Sequence, residues 1–282
     1  MNKFNIAITG ANGYIGTYLS TFLKKQGHTI YAMSRKPCPS ADKFIHFELG
    51  RNNEYTSLND IDVLIHCAYD FSITNYQRLR RINFEGSLEL LKQAKNCGVK
   101  KIVYISSTSA FETARSYYGK IKYELEQYAK KWGALTIRPG LVFSDNNKGI
   151  VGSIQKMAVK LPIIPIIDRG DQLLFPCHIE DLSTLISHLI TKNETNTTPI
   201  TAACEKPITF KQLILTLANK KHKKPILLPV PYQVLFVGLK LAELAKIPLG
   251  LRSDSLKYMN HYNKSHDFSI IRQMGLNFRP FE

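Results

Sequence analysis

Near the amino end, Phe4-Asn5-Ile6-Ala7-Ile8-Thr9 runs into Gly10-Ala11-Asn12-Gly13-Tyr14-Ile15-Gly16 and then into a segment with apolar residues at Ile15, Leu19, Phe22 and Leu23. The first stretch reads as a short strand stopped by Gly10. The last reads as a helix ended by Gly27. The three glycines have separate tasks: Gly10 permits a tight turn, Gly13 lets backbone approach a diphosphate, and Gly16 lets helix and strand pack closely. A helix start also presents free N–H groups and partial positive charge. Gly10, Asn12, Gly13, Tyr14, Ile15 and Gly16 are therefore expected to cradle the phosphates of a dinucleotide.

The strand–helix rhythm continues. Strand character returns over His28 to Met33, Phe44 to Phe47, Val63 to Cys67, Lys101 to Ser106 and Leu135 to Arg138. Helices are expected from about Tyr76 to Cys97, closed by Gly98, and from Tyr117 to Trp132. Such alternation predicts an α/β protein with a doubly wound parallel sheet, whose strand ends share one ligand-binding edge. After Asp145 the rhythm breaks, prolines cluster, and helices are expected around Ile179–Thr191, Phe210–Asn219 and Tyr232–Lys246. Residues 1–145 are read as the dinucleotide-binding domain, with 173–192 returning to it. Residues 146–282 are read mainly as a smaller substrate-binding lobe.

The chain has 282 residues and a formal charge of +16, and cutting it after Asp145 leaves +8 on either side. No basic arm explains the charge, and there is no zinc-finger spacing or aromatic RNA-binding signature, so no nucleic-acid partner is expected. Attraction to phosphate-bearing ligands or a weak contact with an anionic membrane surface stays open. Pro225 to Leu251 is the most apolar long stretch, but Lys240, Glu243 and Lys246 interrupt it. It is expected to be a buried lobe helix rather than a span, with an interfacial role open. The five cysteines (Cys38, Cys67, Cys97, Cys177, Cys204) are scattered and odd in number. That pattern suggests reduced thiols and no metal site. With no secretory signal at Met1, a cytoplasmic protein is expected.

The second strand ends in Ser34-Arg35-Lys36, where an NAD-selective site commonly places an acid for the adenine ribose. Arg35 offers a planar cation suited to a 2′-phosphate, with Ser34 and Lys36 as helpers. NADP(H) is the preferred coenzyme and NAD(H) the alternative.

Tyr118 and Lys122 lie four apart, on one face of the expected helix. A free phenol, with a pKa near ~10, is a poor base at neutral pH, and a neighbouring ammonium favours its ionised form. Asn83 shares a helical face with Leu79, Ile82, Gly86 and Leu90, so its polar side chain must find partners in a buried stripe.

Together with Thr9-Gly10-x-x-Gly13-x-x-Gly16, the chain carries Ile65-His66-Cys67-Ala68, Asn83, Ile105-Ser106-Ser107, Tyr118-Gly119-Lys120-Ile121-Lys122, Arg138-Pro139-Gly140 and His178-Ile179-Glu180-Asp181-Leu182. In order and spacing it resembles the extended short-chain dehydrogenase/reductase (NAD-dependent epimerase/dehydratase) family over nearly its whole length. The resemblance implies a Rossmann-type domain, Tyr118 as acid/base, and Lys122 both tuning it and holding the nicotinamide ribose. It implies Ser107 on the substrate oxygen and Asn83 in the active-site relay. His66, Cys67, Ala68, Arg138 and Pro139 would join Asn83, Tyr118 and Lys122 in lining the coenzyme. A homodimer through the Tyr76–Cys97 and Tyr117–Trp132 helices is a further implication.

The chain also departs from the family. Thr108 and Ser109 stand where dehydratases carry acids, which disfavours water elimination. Leu174 stands where nucleotide-sugar enzymes commonly place a diphosphate-binding arginine, leaving Arg169, Arg252 or Lys148 as substitutes. The resulting expectation is hydride transfer at a carbinol or ketone carbon of a small molecule, foremost a nucleotide sugar. The alternatives are a reductase of an apolar ketone, or a non-catalytic NADP-binding sensor or assembly protein.

Overall fold

The computed structural model describes residues 3–192, 197–245 and 252–282. The first half runs β1 (Asn5–Thr9), α1 (Tyr14–Lys25), β2 (Thr29–Ser34), β3 (Lys43–His46), β4 (Val63–His66), α2 (Tyr76–Arg80), α3 (Gly86–Asn96), β5 (Lys101–Ile105), α4 (Tyr117–Lys131) and β6 (Leu135–Pro139). The second half runs β7 (Leu141–Phe143), α5 (Gly149–Lys160), β8 (Ile163–Ile167), β9 (Leu173–Leu174), β10 (Pro176–His178), α6 (Ile179–Thr191), β11 (Ile200–Ala202), β12 (Ile208–Thr209), α7 (Phe210–Asn219), β13 (Ile226–Val230), α8 (Tyr232–Leu244), α9 (Ser253–Asn260) and α10 (Ser269–Gln273).

Seven parallel strands form the central sheet in the order β11-β6-β5-β4-β1-β2-β3. The order reverses between β1 and β4, which opens a crevice at their carboxyl ends. Both sheet faces are covered, as the near-continuous apolar strands require. On one face Leu19 and Leu23 of α1 and Leu182, Leu185, Ile186 and Leu189 of α6 pack on Ile6, Ile8 and Val103. On the other, Leu90 and Leu91 of α3 and Ile121 and Leu125 of α4 pack on Leu64, Ile102 and Tyr104. A separate cluster built from α5, α7, β8 and α9 forms the core of the later residues.

Three local expectations need correction. Within 173–192, α6 lies on the sheet, whereas Leu173–Leu174 pairs antiparallel with β12 and Pro176–His178 pairs with β7. The seventh sheet strand is instead Ile200–Ala202, too short to show an alternation. The Tyr76–Cys97 helix is interrupted by a π-helical turn at Arg81–Glu85. There Asn83 Nδ2 donates to the Leu79 carbonyl (3.2 Å) and Ser87 Oγ to that of Asn83 (2.5 Å), so side chains enter the backbone ladder. Finally, α8 buries only Ala242 fully, and the rest of the expected buried helix is half-buried or exposed. Residues 246–251, the end of the apolar stretch, lie outside the described residues. Among the described residues no helix is long and apolar enough to cross a membrane.

Candidate active site

Gly10 adopts φ +66°, and a Cβ there would press on Ala68 backbone at 3.0 Å. At Gly16 a Cβ would run into the Gly10 carbonyl oxygen. The loop is thus closed against the β4 end, with Gly13 N–H donating to Gly10 O (2.8 Å). The start of α1 has neither a side-chain cap nor an acid in its first turn. The N–H groups of Tyr14, Ile15 and Gly16 precede the first intrahelical bond, Thr17 N to Gly13 O (2.9 Å). An anion is the partner this end lacks.

Asn12 does not face that end. Its Nδ2 donates to Ser34 Oγ (3.2 Å) and to the Lys36 carbonyl (2.7 Å), strapping the loop to the end of β2. Ser34 in turn donates its proton to the Lys36 carbonyl (2.6 Å). Ser34 thus braces the turn after β2. Arg35 and Lys36 are exposed, and no side-chain hydrogen bond or ion pair holds the Arg35 guanidinium among the described residues.

His66, expected against the coenzyme, turns its ring into the protein. Thr9 Oγ1 accepts the N–H groups of Cys67 and Ala68 (both 3.1 Å), so its own proton goes to His66 Nδ1 (2.7 Å). Ser87 Oγ donates to the Asn83 carbonyl, so His66 Nε2 donates to Ser87 (2.8 Å). Burial, aided by the charge of Lys122, pulls the His66 pKa down to about 3 and keeps the ring neutral. Burial pushes the Cys67 thiol up to about 12, which makes it a poor nucleophile. This network ties the ends of β1 and β4 together beneath the glycine loop.

Tyr118, Lys122 and Glu126 recur every four residues on the face of α4 turned toward the sheet. Lys122 is buried, with Nζ donating to the Ile105 carbonyl (2.7 Å) at the end of β5. The rings of Tyr104, Tyr69 and Tyr118 surround the ammonium, with centroids at 4.8, 5.4 and 5.8 Å. Burial lowers its pKa to about 8, against the pull of Cys67 and Glu126. Tyr118 is pushed up to about 12, chiefly by burial, while a hydrogen bond with the Ser107 side chain acts in the opposite direction. Ser107 also accepts Ser109 N–H (3.1 Å), so the turn after β5 orients it. The Tyr69 and Phe71 rings, 4.9 and 5.5 Å from that of Tyr118, pack around the same phenol. The Tyr69 hydroxyl is buried without a partner. That orphan oxygen, the buried ammonium and the uncapped α1 fit a dinucleotide laid along the β1/β4 edge.

Two further residues of the expected set are committed elsewhere. Arg138 forms a two-pronged pair with Glu126 (Nε–Oε1 2.9 Å, Nη2–Oε2 2.5 Å), and Ser106 donates to the same carboxylate (2.5 Å). This buried group fastens α4 to β6, and the Arg138 guanidinium is engaged there rather than turned to the glycine loop. Pro139, at the strand end, is buried and accepts Thr108 N–H through its carbonyl (3.0 Å). Asn83 Oδ1 accepts Asp70 N–H (2.6 Å), and Nδ2 donates to the Asp70 (3.2 Å) and Leu79 carbonyls. With both its protons taken, its side chain holds the Tyr69–Phe71 loop.

The sequence reading missed α9. Asp254 accepts the N–H groups of Tyr117 (2.7 Å) and Tyr118 (3.1 Å), capping the helix that carries the tyrosine. Arg252 donates to the carbonyls of Phe71 and Ile73. It is therefore not a free diphosphate ligand. Burial raises the Tyr258 phenol pKa, with the nearby Thr108 and Ser109 side chains acting in the opposite direction. Glu243 of α8 receives Ser253 N–H (2.7 Å) and Oγ–H (2.9 Å). Arg169 and Lys148 are exposed, while Leu174 packs against the third cluster.

A parallel sheet with a glycine-lined loop at its reversal point and a tyrosine–lysine helix beside it defines a Rossmann-type short-chain dehydrogenase/reductase. The chain belongs to the NAD dependent epimerase/dehydratase family, whose model matches residues 6–202. An uncharacterized protein of Mycobacterium tuberculosis is 25% identical over 220 residues, 76% of this chain but 23% of that protein's length. UDP-glucose 4-epimerase of Vibrio cholerae is 24% identical over 262 residues, covering 80% of this chain and 79% of that one. Ceramide reductase of Caulobacter vibrioides is 25% identical over 185 residues, 62% of this chain and 57% of that one. Among solved structures, MoeE5 in complex with UDP-glucuronic acid and NAD superposes with a TM-score of 0.71 at 18% identity, covering 80% and 85% of the two chains. The structure of gox2253 does so with a TM-score of 0.76 at 18% identity, covering 99% and 94%. At these identities the superpositions show a shared fold.

Proposed function

We propose that the protein is a nicotinamide-dependent oxidoreductase or epimerase acting on a carbinol or ketone carbon, foremost that of a nucleotide sugar. The observation carrying this reading is the placement of Tyr118 at the sheet edge, with the Ser107 side chain counteracting the burial of its phenol and the Lys122 ammonium buried against its ring. Residues 1–145, with α6, hold the coenzyme, and most of 146–282 holds the substrate. Bound coenzyme supplies or accepts hydride. Ser107 orients the substrate oxygen, Tyr118 exchanges its proton with that oxygen, and Lys122 tunes the phenol and takes the nicotinamide ribose. The Tyr14, Ile15 and Gly16 N–H groups receive the diphosphate. The five free cysteines suit a reducing, cytoplasmic setting. Net reduction is favoured over epimerisation, because Arg35 suits a dissociable NADPH, whereas an epimerase retains its coenzyme through oxidation and re-reduction.

Arg35, unpartnered beside the end of β2, selects NADP(H) by its reach toward a 2′-phosphate. Fluorescence titration is expected to show NADPH binding more tightly than NADH. Arg35→Glu should weaken NADPH roughly ten- to a hundredfold while changing NADH less than about threefold. Equal loss for both coenzymes would remove Arg35 from that role.

A second reading, reduction of an apolar ketone, is favoured by one observation. Arg252, one candidate substitute for the missing diphosphate arginine, is spent on the Phe71 and Ile73 carbonyls. Following NADPH oxidation against keto-sugar nucleotides and long-chain ketones separates the two. Turnover of the former alone supports the first reading, and turnover of the latter alone replaces it.

A further inference from the structure

We propose that the outer surface of the later lobe, built from α8 and the β8–β13 ladder, is a docking face for an anionic lipid bilayer. On α8, Val234, Val237, Leu241 and Leu244 follow a three–four spacing and form one stripe. Their exposures are 61%, 55%, 62% and 78%, so most of the stripe faces solvent. The opposite side of the helix supplies Leu235, Phe236 and Leu239 to the third cluster. A helix with an apolar side on both faces has one more partner than the fold provides.

The ladder repeats the pattern. β13 and β8 pair in parallel with Ile226 opposite Ile163 and Leu228 opposite Pro165. These four residues are exposed, while Ile164 and Ile166 point into the cluster. Leu161, just before β8, is exposed as well. A two-stranded ladder with apolar residues on both faces is likewise one partner short.

Charge selects the occupant. Residues 149–167 and 206–245, which contain both patches, hold nine lysines and a single acid, Glu243. That acid is taken by Ser253 and by Lys240, 3.5 Å away. Lys160 immediately precedes Leu161, and Lys221, Lys223 and Lys224 lead into Ile226; all four are exposed. Aliphatic side chains rimmed by lysines match the acyl boundary and the anionic headgroups of a bilayer. A second copy is disfavoured because a two-fold contact on this face would oppose the same lysines. Nucleic acid would leave the aliphatic stripe unused. Docking also has a route to the catalytic helix. Glu243 of α8 holds Ser253, and the adjacent Asp254 caps the N–H groups of Tyr117 and Tyr118.

The test is vesicle sedimentation with the full chain and needs no substrate, so it stands apart from the activity assays. Binding to phosphatidylcholine vesicles containing phosphatidylglycerol is expected to exceed binding to pure phosphatidylcholine at least about tenfold and to weaken with salt. The double variant Val237→Glu/Leu241→Glu should lose roughly tenfold in vesicle binding with its NADPH affinity unchanged. Lys223→Glu/Lys224→Glu, which leaves the apolar stripe intact, should lose most of the anionic preference. Equal binding to both vesicle types would overturn the proposal, as would undiminished binding by both variants. A concentration-dependent dimer in solution that Leu241→Glu dissociates would also overturn it and assign the face to a second copy.

Discussion

Replacing Tyr118 by phenylalanine is expected to lower turnover by about a hundred- to ten-thousandfold, the usual loss when a positioned acid/base is removed. Coenzyme affinity should stay within about twofold of the parent. The substitution removes one oxygen and keeps the ring, so the contacts with Tyr69 and Phe71 survive, as does the Asp254 cap on backbone N–H groups. Stopped-flow hydride transfer and a coenzyme titration on the same variant check both halves. Retained turnover would exclude the phenol as the proton donor. Loss of coenzyme binding together with turnover would show instead that the variant had disturbed the crevice.

The direction of the pH dependence follows from the same oxygen. With its pKa raised to about 12 by burial, Tyr118 in the coenzyme-free protein is a neutral phenol throughout the physiological range. Carbonyl reduction uses that proton and should be nearly flat between about pH 6 and 7, then fall as Lys122, lowered to about 8 by burial, loses its charge. Carbinol oxidation needs the phenolate, so its rate should climb with pH until the coenzyme-bound pKa is passed. A reduction rate that climbed in the same way would mean that Tyr118 is not the proton donor.

Local features of this site were legible because the signal lies within a few residues. The glycine loop is read from spacing and the strand before it, and Tyr118 with Lys122 from one helical turn. The α/β alternation is legible for the same reason, since each strand and helix carries its own periodicity. Where a side chain is engaged elsewhere than its spacing suggested, the physical origin is shared. Arg138, His66, Asn83 and Ser34 sit where coenzyme-lining residues are expected, but a side chain's task is set by the nearest unsatisfied partner. Glu126, Thr9, Ser87, Asp70 and Lys36 supplied partners from other elements or the adjoining turn. The Asp254 cap and the true partners of Arg252 were invisible for the complementary reason, both residues being 136 or more positions away in the chain from the backbone they bind. The exposed α8 stripe belongs here too. Apolar spacing announces that a helix has an apolar face, and only the surrounding packing shows how many sides are already covered.

Lys122→Met should make the protein more stable and inactive together. The lysine pKa falls from 10.5 to about 8 through burial, so holding the ammonium inside costs on the order of 3 kcal/mol at neutral pH. Losing its hydrogen bond to the Ile105 carbonyl gives back about 1 kcal/mol, and methionine fills a similar volume among three tyrosine rings. The net gain of about 2 kcal/mol corresponds to a Tm higher by roughly 5 °C at pH 7. Between pH 8 and 10.5 the unfolded parent keeps a proton that the folded parent has released. Stability of the parent therefore rises with pH across that window, and the gap between the two proteins closes. Thermal melts of parent and variant at about pH 7 and 10, with hydride-transfer assays alongside, test the linkage. A variant less stable than the parent at pH 7 would mean that the ammonium is a net stabiliser of the coenzyme-free fold. A variant that gained stability but kept its turnover would separate burial of Lys122 from any part in catalysis. The expected pairing, stability gained and turnover lost, is the signature of a charge buried for chemistry at the expense of the fold.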